Sequence, residues 1–367
     1  MTFARIDRQS ISLTGPEPRV ITPVRDELAL LPHFLRHHRQ LGLAHFIMID
    51  NGSVDGTTQY LLEQPDCAVF YTEESFRDAA FGMDWVNRIL ADERYEGWLI
   101  YLDADEHLAY RAMESTPIAA FLAHLGEEGA DTVFGAMIDM YPDGDFLGLR
   151  VTGDGPLHAS MPWFDADYVF RPWPRRPWDP PTTEFRLQVL GGPRCRLLSR
   201  LKIERRRGFV HYTIANQVDR FVDAAPLAWM PVIARVWPVE MPAQHKKPIN
   251  YVRPGFRYTN SHSCTNAALA GETVALLHFK FCHELQQRVR MAATEGNHYR
   301  RGLSYHQLDA GLRRWGDRPL TYPGSRRYGS SADLERLGLI GSAVAALWQG
   351  GAREVVTTAE RADARHA

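Results

Sequence analysis

Two acidic segments, about fifty residues apart, each follow a short apolar run in this sequence. The first begins at Asp50, directly after residues 46–49, and the second begins at Asp103, directly after residues 98–102. Short apolar runs bounded by polar residues are typical of buried strands. Because ligands bind beyond the carboxyl ends of the strands in an open α/β sheet, the two strand ends are predicted to form one polar site.

The second segment carries an Asp-x-Asp pair, Asp103 and Asp105. Side chains alternate along an extended chain, so the two carboxylates are expected to point to the same side. Two such groups repel unless a cation lies between them, and together they can hold a divalent cation that in turn holds a diphosphate. Glu106 is expected to point to the other face and to support the pair from there. The alternative, two exposed carboxylates in a turn, fits the preceding apolar run less well.

The first segment also allows a purely structural interpretation, in which an Asx-turn caps the following helix. Ser53 and Asp55 fit this capping role, whereas Asp50 and Asn51 belong to the end of the apolar run itself. Asp50 and Asn51 are therefore kept as candidate ligand-binding residues.

A second polar pair, His278 and Lys280, alternates with Leu277 and Phe279 after an apolar run. A histidine in this position is often a core residue bonded to the backbone. Here the alternation puts both polar groups on one side of an extended chain, which favours a binding role.

In this order and spacing, the motifs resemble those of the nucleotide-sugar glycosyltransferases of the GT-A fold, family 2 in the broad sense. The resemblance is greatest to a bacterial branch related to family 92, and it runs from about Val20 to about Tyr305. The matching motifs are Val24-Arg25-Asp26-Glu27, Asp50-Asn51-Gly52-Ser53-Val54-Asp55-Gly56-Thr57, Leu102-Asp103-Ala104-Asp105-Glu106, Gly191-Gly192-Pro193-Arg194, Leu201-Lys202-Ile203 and Leu276-Leu277-His278-Phe279-Lys280-Phe281.

The resemblance implies a nucleotide-diphosphate sugar as donor, with a UDP-sugar favoured, and Mn²⁺ or Mg²⁺ as cofactor. The implied metal ligands are Asp103, Asp105 and His278. The implied substrate-binding residues are Arg25, Glu27, Asp50, Asn51, Asn87, Arg194, His262 and Lys280, with Lys280 at the diphosphate. Three of these have a structural alternative: Arg25 and Glu27 as a surface ion pair, and Asn87 as an exposed helix residue.

The resemblance also implies transfer to a hydroxyl of a carbohydrate, lipid-linked or protein acceptor, with inversion by direct displacement. A carboxylate on the far side of the sugar would then act as general base. The candidates are Asp139, at the end of the predicted strand 133–140, and Glu184, with Asp143 and Asp145 next. The Glu-Asp pair by which the family usually marks its base does not follow the Gly-Gly motif here, so the base stays open among these.

Two other function classes remain as alternatives. A nucleotidyltransferase also uses strand-end carboxylates with a metal, but it usually needs a glycine-rich loop near the first strand, and residues 20–27 contain no glycine. A non-catalytic nucleotide- or carbohydrate-binding protein would not need the Asp-x-Asp and His-x-Lys elements together.

Composition agrees with a soluble cytoplasmic enzyme. The formal net charge of −2 and the pI of about 6.7 predict no strong attraction to nucleic acid. No apolar run is long enough to span a bilayer, which leaves room only for peripheral membrane contact. The N-terminus has no apolar signal core, and the four cysteines show no C-x-x-C spacing, so they are expected to be reduced thiols.

The first 140 residues alternate between strand and helix patterns, which predicts an α/β fold: a mainly parallel mixed sheet with helices on both faces. The predicted strands are 19–24, 45–49, 68–71, 97–102 and 133–140, and the predicted helices are 28–41, 57–62 and 76–90. Later strands are expected near 209–213 and 232–236, and helices at 281–300 and 332–360.

The predicted organisation is a GT-A catalytic domain over residues 1–285, followed by a C-terminal helical extension over 286–367. Within the catalytic domain, residues 18–140 would bind the nucleotide sugar and 141–285 the acceptor. Pro, Gly and Trp dominate residues 143–184, which are predicted to be a mobile loop over the site.

Overall fold

The computed structural model describes residues 3–9, 11–151, 155–172, 187–198, 244–266, 268–282, 303–350 and 352–358, with single positions between these ranges. The strands are β1 (Ala4–Arg5), β2 (Arg19–Val24), β3 (Phe46–Asp50), β4 (Cys67–Tyr71), β5 (Gly97–Tyr101), β6 (Glu106–Ala109), β7 (Thr132–Tyr141), β8 (Trp163–Asp165), β9 (Tyr168–Pro172), β10 (Leu187–Gly191), β11 (His245–Val252), β12 (Tyr258–Asn260), β13 (Ser263–Cys264), β14 (Val274–His278), β15 (Ser325–Arg327) and β16 (Val355–Thr357). The helices are α1 (Leu31–Gln40), α2 (Thr57–Leu62), α3 (Met83–Asp92), α4 (Ile118–Glu127), α5 (Leu157–Ser160), α6 (Gly192–Leu198), α7 (Leu303–Trp315), α8 (Ser331–Leu337) and α9 (Ser342–Ala345).

The centre of the fold is a mixed sheet in the order β1-β4-β3-β2-β5-β11-β7-β14-β6, with β8 and β15 attached through β7. Strands β4, β3, β2 and β5 pair in parallel. Strand β11 then runs antiparallel between β5 and β7, and β14 pairs in parallel with β7 and antiparallel with β6. This arrangement confirms the predicted α/β class with a mixed sheet.

The β-α alternation of the first half is close to the predicted one, because apolar periodicity is strong there. Strand β2 and helix α2 have the predicted bounds. Helix α3 begins at Met83, seven residues later than expected. Ala80, Phe81 and Gly82 have φ values of 49°, 57° and 83°, and such left-handed backbone cannot be part of a right-handed helix.

The segment predicted as one loop over 143–184 contains regular structure and needs correction. Helix α5 and strands β8 and β9 lie within it, and β8 pairs with β7 while β9 pairs with β10 and β16. These elements are only three to five residues long, too short to show a period in the sequence. Residues 173–184 of the predicted loop lie outside the described residues.

The helix predicted over 332–360 also needs correction. The chain there forms two short helices, α8 and α9, and then strand β16. Gly338, with φ 74°, ends α8. Strands β15 and β16 pair with β8 and β9, so the C-terminal residues add strands as well as helices.

Several predicted elements lie outside the described residues: the strand 209–213, the strand 232–236 apart from Val232, and most of the helix 281–300. The domain boundary after residue 285 stays a prediction. Among the described residues, every helix is too short or too polar to cross a membrane.

Five histidines cluster where α1 packs against β6: His33, His37, His38, His107 and His158. The rings of His37 and His107 stack with centroids 4.5 Å apart. Burial lowers the pKa of His37 to about 4, and it holds the pKa values of His38 and His107 well below the usual range. The folded protein therefore keeps the rings of His37, His38 and His107 neutral.

This histidine cluster predicts a loss of stability in acid. A histidine whose pKa is lower in the folded than in the unfolded state opposes folding as the pH falls below its unfolded value of about 6.5. The melting temperature should therefore fall by several degrees from pH 7.5 to pH 5, as measured by circular dichroism. In His107→Phe, which keeps an aromatic ring but removes one titrating group, the decrease should be smaller. An equal decrease in both proteins would contradict this account.

Candidate metal centre

The turn between β5 and β6 lies beside the ends of β7 and β14. His278, the last residue of β14, is paired with Glu106 on β6 and with Asp139 on β7. The N–H of Phe279 donates to the carbonyl oxygen of Asp105 at 2.8 Å, which ties the turn to β14. Strand pairing thus brings together residues that are far apart in sequence.

Asp105, Glu106 and His278 form a buried group whose ligand atoms lie within 4.8 Å of one another. Nε2 of His278 lies 3.3 Å from Oδ2 of Asp105. Among the described residues, the buried Oε1 of Glu106 has no hydrogen-bond partner. Two carboxylates, an imidazole and an unpaired buried oxygen fit a divalent cation, so this group could hold a metal ion.

The group that the structure brings together differs in one residue from the metal ligands predicted from sequence, which stay a prediction. Asp105 and His278 belong to it and its third member is Glu106, whereas the carboxylate of Asp103 binds Lys246. The prediction assumed an extended chain through Asp105, whereas β5 ends at Tyr101 and residues 102–105 form the turn. The alternation of side chains does not hold in a turn.

Sequence reasoning missed Lys246, a buried residue near the start of β11. Its Nζ donates to Oδ2 of Asp103 at 2.6 Å and to Oε2 of Glu106 at 2.8 Å. Two adjacent lysines at the start of this strand, Lys246 and Lys247, were the available signal, and the structure buries both of them. Burial alone would lower the pKa of Lys246, but Asp103 and Glu106 raise it, so the amine is a charged ammonium.

Glu106 is fully buried and is bonded to the ammonium of Lys246. The pKa of Glu106 is raised to about 7, mainly because the carboxylate is buried away from water. The charge of Lys246 lowers this pKa, and the charges of Asp103 and Asp105 raise it further. Loss of hydration on burial is therefore the largest influence on this pKa, ahead of the charges around the carboxylate.

Asp139 and Arg194 form the other side of the site. Oδ1 of Asp139 lies 2.7 Å from Nδ1 of His278, and Nε of Arg194 donates to Oδ2 of Asp139 at 2.7 Å. Burial by itself would raise the pKa of Asp139, but Arg194 and His278 lower it to about 2. Burial would likewise lower the pKa of His278, and Asp105 and Asp139 raise it.

Three of the predicted substrate-binding residues hold the backbone of neighbouring segments. Oδ1 of Asp50 accepts from the N–H of Ser53 at 2.9 Å, as in the alternative Asx-turn. The Asn51 amide donates to the carbonyl oxygens of residues 72 and 74. Asn87 exchanges two hydrogen bonds of 2.9 Å with the backbone of Tyr258.

The other predicted residues differ in their surroundings. Arg25 is exposed, and Glu27 is half-buried at the turn before α1. Nδ1 of His262 lies 2.6 Å from the carbonyl oxygen of His245. Burial and the nearby ammonium of Lys246 lower the pKa of His262 to about 4. Lys280 is half-buried, with Nζ 5.9 Å from the ring centroid of Tyr305. Glu184 lies outside the described residues.

An open cavity of about 340 Å³ lies after β4 and at the start of α3. Its lining residues are Glu74, Ser75, Asp78, Ala79 and Asp84. The indole N–H of Trp85 donates to the Glu74 carboxylate at 2.7 Å, which fixes one wall. The cavity opens at the carboxyl ends of the parallel strands.

Comparisons with known proteins leave the family open. No family model and no curated protein matches the chain. One similar solved structure is the crystal structure of 4-diphosphocytidyl-2C-methyl-D-erythritol synthase, with 11% sequence identity and a TM-score of 0.26. The match covers 38% of this chain and 66% of that one, so the chain spans just under two thirds of that structure's length. A likeness at this TM-score carries no argument about function.

Proposed function

We propose that the protein is a divalent-metal-dependent glycosyltransferase of the GT-A type. It would move a sugar from a nucleotide-diphosphate sugar to a hydroxyl of a carbohydrate or lipid-linked acceptor. The observation that carries this proposal is the buried group of Asp105, Glu106 and His278 at the carboxyl end of the sheet. The motif resemblance adds the reaction class to this geometry.

The position of the group in the sheet supports a nucleotide ligand. From β2 the chain proceeds outward to β3 and β4 on one side, and β5 then pairs with β2 on the other side. The strand order therefore reverses between β2 and β5, and ligands of open α/β sheets bind at such a switch point. The acidic turn, Asp103 to Asp105, follows β5 at that edge.

A diphosphate leaving group needs positive charge near its oxygens, and a divalent cation would supply it. Asp105, Glu106 and His278 are the residues that would hold this cation. We assign a supporting role to Asp139, because its Oδ1 accepts the Nδ1 proton of His278 and so keeps Nε2 directed at the cation. A carboxylate behind a metal-binding histidine fixes its tautomer and its orientation.

The general base is proposed to be a residue other than Asp139 and the three metal ligands. Both oxygens of Asp139 already have partners, and a pKa of about 2 makes the residue a poor proton acceptor. We therefore favour Glu184 as base. Asp143, which is exposed just after β7, is the next candidate.

The open cavity beside β4 is a candidate site for the nucleoside. Carboxylates accept hydrogen bonds from ribose hydroxyls, and Glu74, Asp78 and Asp84 line this cavity. Asn51 acts here indirectly, because its amide holds the backbone of Glu74. Arg25, exposed at the end of β2, would meet the nucleotide from the same edge.

The experiment that tests this function is incubation with Mn²⁺ and a panel of nucleotide sugars, with release of nucleoside diphosphate as the readout. Slow release from one donor, stopped by a chelator, is the expected result. A nucleotidyltransferase would instead release pyrophosphate from a nucleoside triphosphate and a sugar phosphate. Pyrophosphate release without nucleoside diphosphate release would replace the proposal by that alternative.

Lys280 is expected to act on the leaving group. Its half-buried ammonium follows the metal-binding strand, so Lys280→Ala should lower turnover by about 100-fold and change donor affinity less, because leaving-group charge is largest in the transition state. Steady-state kinetics and calorimetry with the nucleoside diphosphate measure the two quantities. Lys280→Arg, which keeps the charge, is the control and should retain more activity. Equal losses in turnover and affinity would assign Lys280 to ground-state binding alone.

A further inference from the structure

Lys246 is a buried cation beside the proposed metal ligands, and it is bonded to two carboxylates. Its ammonium is buried and bridges Asp103 and Glu106 at 2.6 and 2.8 Å. It lies on β11, which runs antiparallel between β5 and β7, and there Lys246 is paired with Gly135 of β7. The side chain therefore comes from the sheet itself and not from a surface loop.

Lys246 bonds to one oxygen of Asp103 and to one oxygen of Glu106. Oδ2 of Asp103 and Oε2 of Glu106 bind Lys246, whereas Oε1 of Glu106 is buried and without a hydrogen-bond partner in the described part of the chain. Asp103 is also the more open carboxylate, with 45% of its side chain exposed against 10% for Asp105. The residues whose ligand atoms lie within 4.8 Å of one another are Asp105, Glu106 and His278, and Asp103 is not among them.

We propose that Lys246 is a positioning residue that selects the metal ligands. It binds Asp103 and one oxygen of Glu106, so that a single divalent cation is held by Asp105, Glu106 and His278. Asp103 thereby has a structural role towards the lysine and is not a metal ligand in the absence of nucleotide. This inference rests on the proposed function only in that the acidic group binds a divalent cation.

The charge of the site agrees with one divalent cation. The groups concerned are four carboxylates and two fixed cations: Asp103, Asp105, Glu106, Asp139, Lys246 and Arg194. Among the described residues, these carboxylates outnumber the fixed cations by two. Without the ammonium of Lys246 they would outnumber them by three, and Asp103 would lose the partner that holds its carboxylate.

The first test compares two asparagine variants in the presence of Lys246. Binding of Mn²⁺ alone is measured by electron paramagnetic resonance, without nucleotide or sugar. Asp105→Asn should weaken binding by more than about 100-fold, because a ligand is lost, whereas Asp103→Asn should weaken it by less than about 10-fold, through lost charge alone. Equal losses in the two variants would overturn the proposal.

The second test asks whether the lysine is the cause of this asymmetry. In a Lys246→Met background Asp103 is free to become a ligand, so Asp103→Asn should now weaken Mn²⁺ binding by more than about 10-fold. Lys247→Met is the matched control. Its Nζ donates to the carbonyl oxygen of Asn266 at 3.1 Å, away from the acidic group. In this background the effect of Asp103→Asn should be the same as in the native protein.

The outcomes separate this inference from the proposed function. Asp103→Asn could weaken Mn²⁺ binding by the same factor in the Lys246→Met and Lys247→Met backgrounds. That result would show that Lys246 does not select the metal ligands. If Lys246→Met does not fold, the comparison of Asp103→Asn with Asp105→Asn in the native protein still decides. Release of nucleoside diphosphate from a sugar donor tests the function separately and does not depend on either variant.

Discussion

Replacing Asp105 by asparagine is expected to lower sugar transfer by about 1,000-fold or more, because loss of a metal ligand removes several kcal/mol of charge stabilisation at the leaving group. The fold should survive, since the bond from the Phe279 N–H goes to the backbone oxygen of Asp105 and not to its side chain. The measurement is Mn²⁺-dependent release of nucleoside diphosphate, with the melting temperature recorded in parallel.

A matched control for this variant is Asp92→Asn at the end of α3, where the side chain is 70% exposed. It should have normal turnover and a normal melting temperature. If Asp105→Asn also had normal turnover that resists a chelator, the acidic turn would not be the site of the reaction.

Replacing Asp139 by asparagine is expected to weaken Mn²⁺ binding by about 10- to 100-fold, the usual cost of removing a carboxylate behind a metal-binding histidine. Turnover at saturating metal should recover in part, because the ligands themselves remain. The variant also leaves the buried guanidinium of Arg194 without its charged partner, so a lower melting temperature is expected as well.

The same variant distinguishes the two roles considered for Asp139. A general base would behave differently, since its loss lowers turnover at every metal concentration and leaves metal affinity unchanged. Titration with Mn²⁺, followed by kinetics at saturating metal, separates the two results. A collapse of turnover with unchanged metal affinity would restore Asp139 as the base.

The sequence predicted local structure well where one physical signal dominates. The apolar runs before Asp50 and Asp103 are strands β3 and β5, because parallel strands covered on both faces need continuous apolar side chains. Helix α2 also has its predicted bounds. Strands β8 and β9 could not be predicted, since three to five residues rich in aromatic and proline residues show no period.

The candidate site shows a different limit. His278 and Asp105 were identified from their own surroundings in the sequence, but the pairing of His278 with Asp139 depends on the register between β14 and β7. The position of Lys246 likewise depends on the register of β11 against β7. Register between distant strands is set by tertiary packing, which a single sequence does not reveal.

Glu106 illustrates how one wrong local assumption changes a predicted site. With the chain extended through Asp105, Glu106 faces away from the pair. With a turn at residues 102–105, Glu106 begins β6 and is paired with His278 of β14 instead. Asn87 is the converse case: its position on α3 was predicted, but its amide binds the backbone of Tyr258, a partner 171 residues away.

A crystal structure with Mn²⁺ and a nucleoside diphosphate tests the central claim most directly, with anomalous scattering at the manganese edge to locate the ion. The account predicts one anomalous peak bound by Asp105, Glu106 and Nε2 of His278, with the diphosphate on its open side and Lys246 still bonded to Asp103. A peak bound by other residues, or nucleotide bound away from the carboxyl ends of β2 and β5, would contradict it.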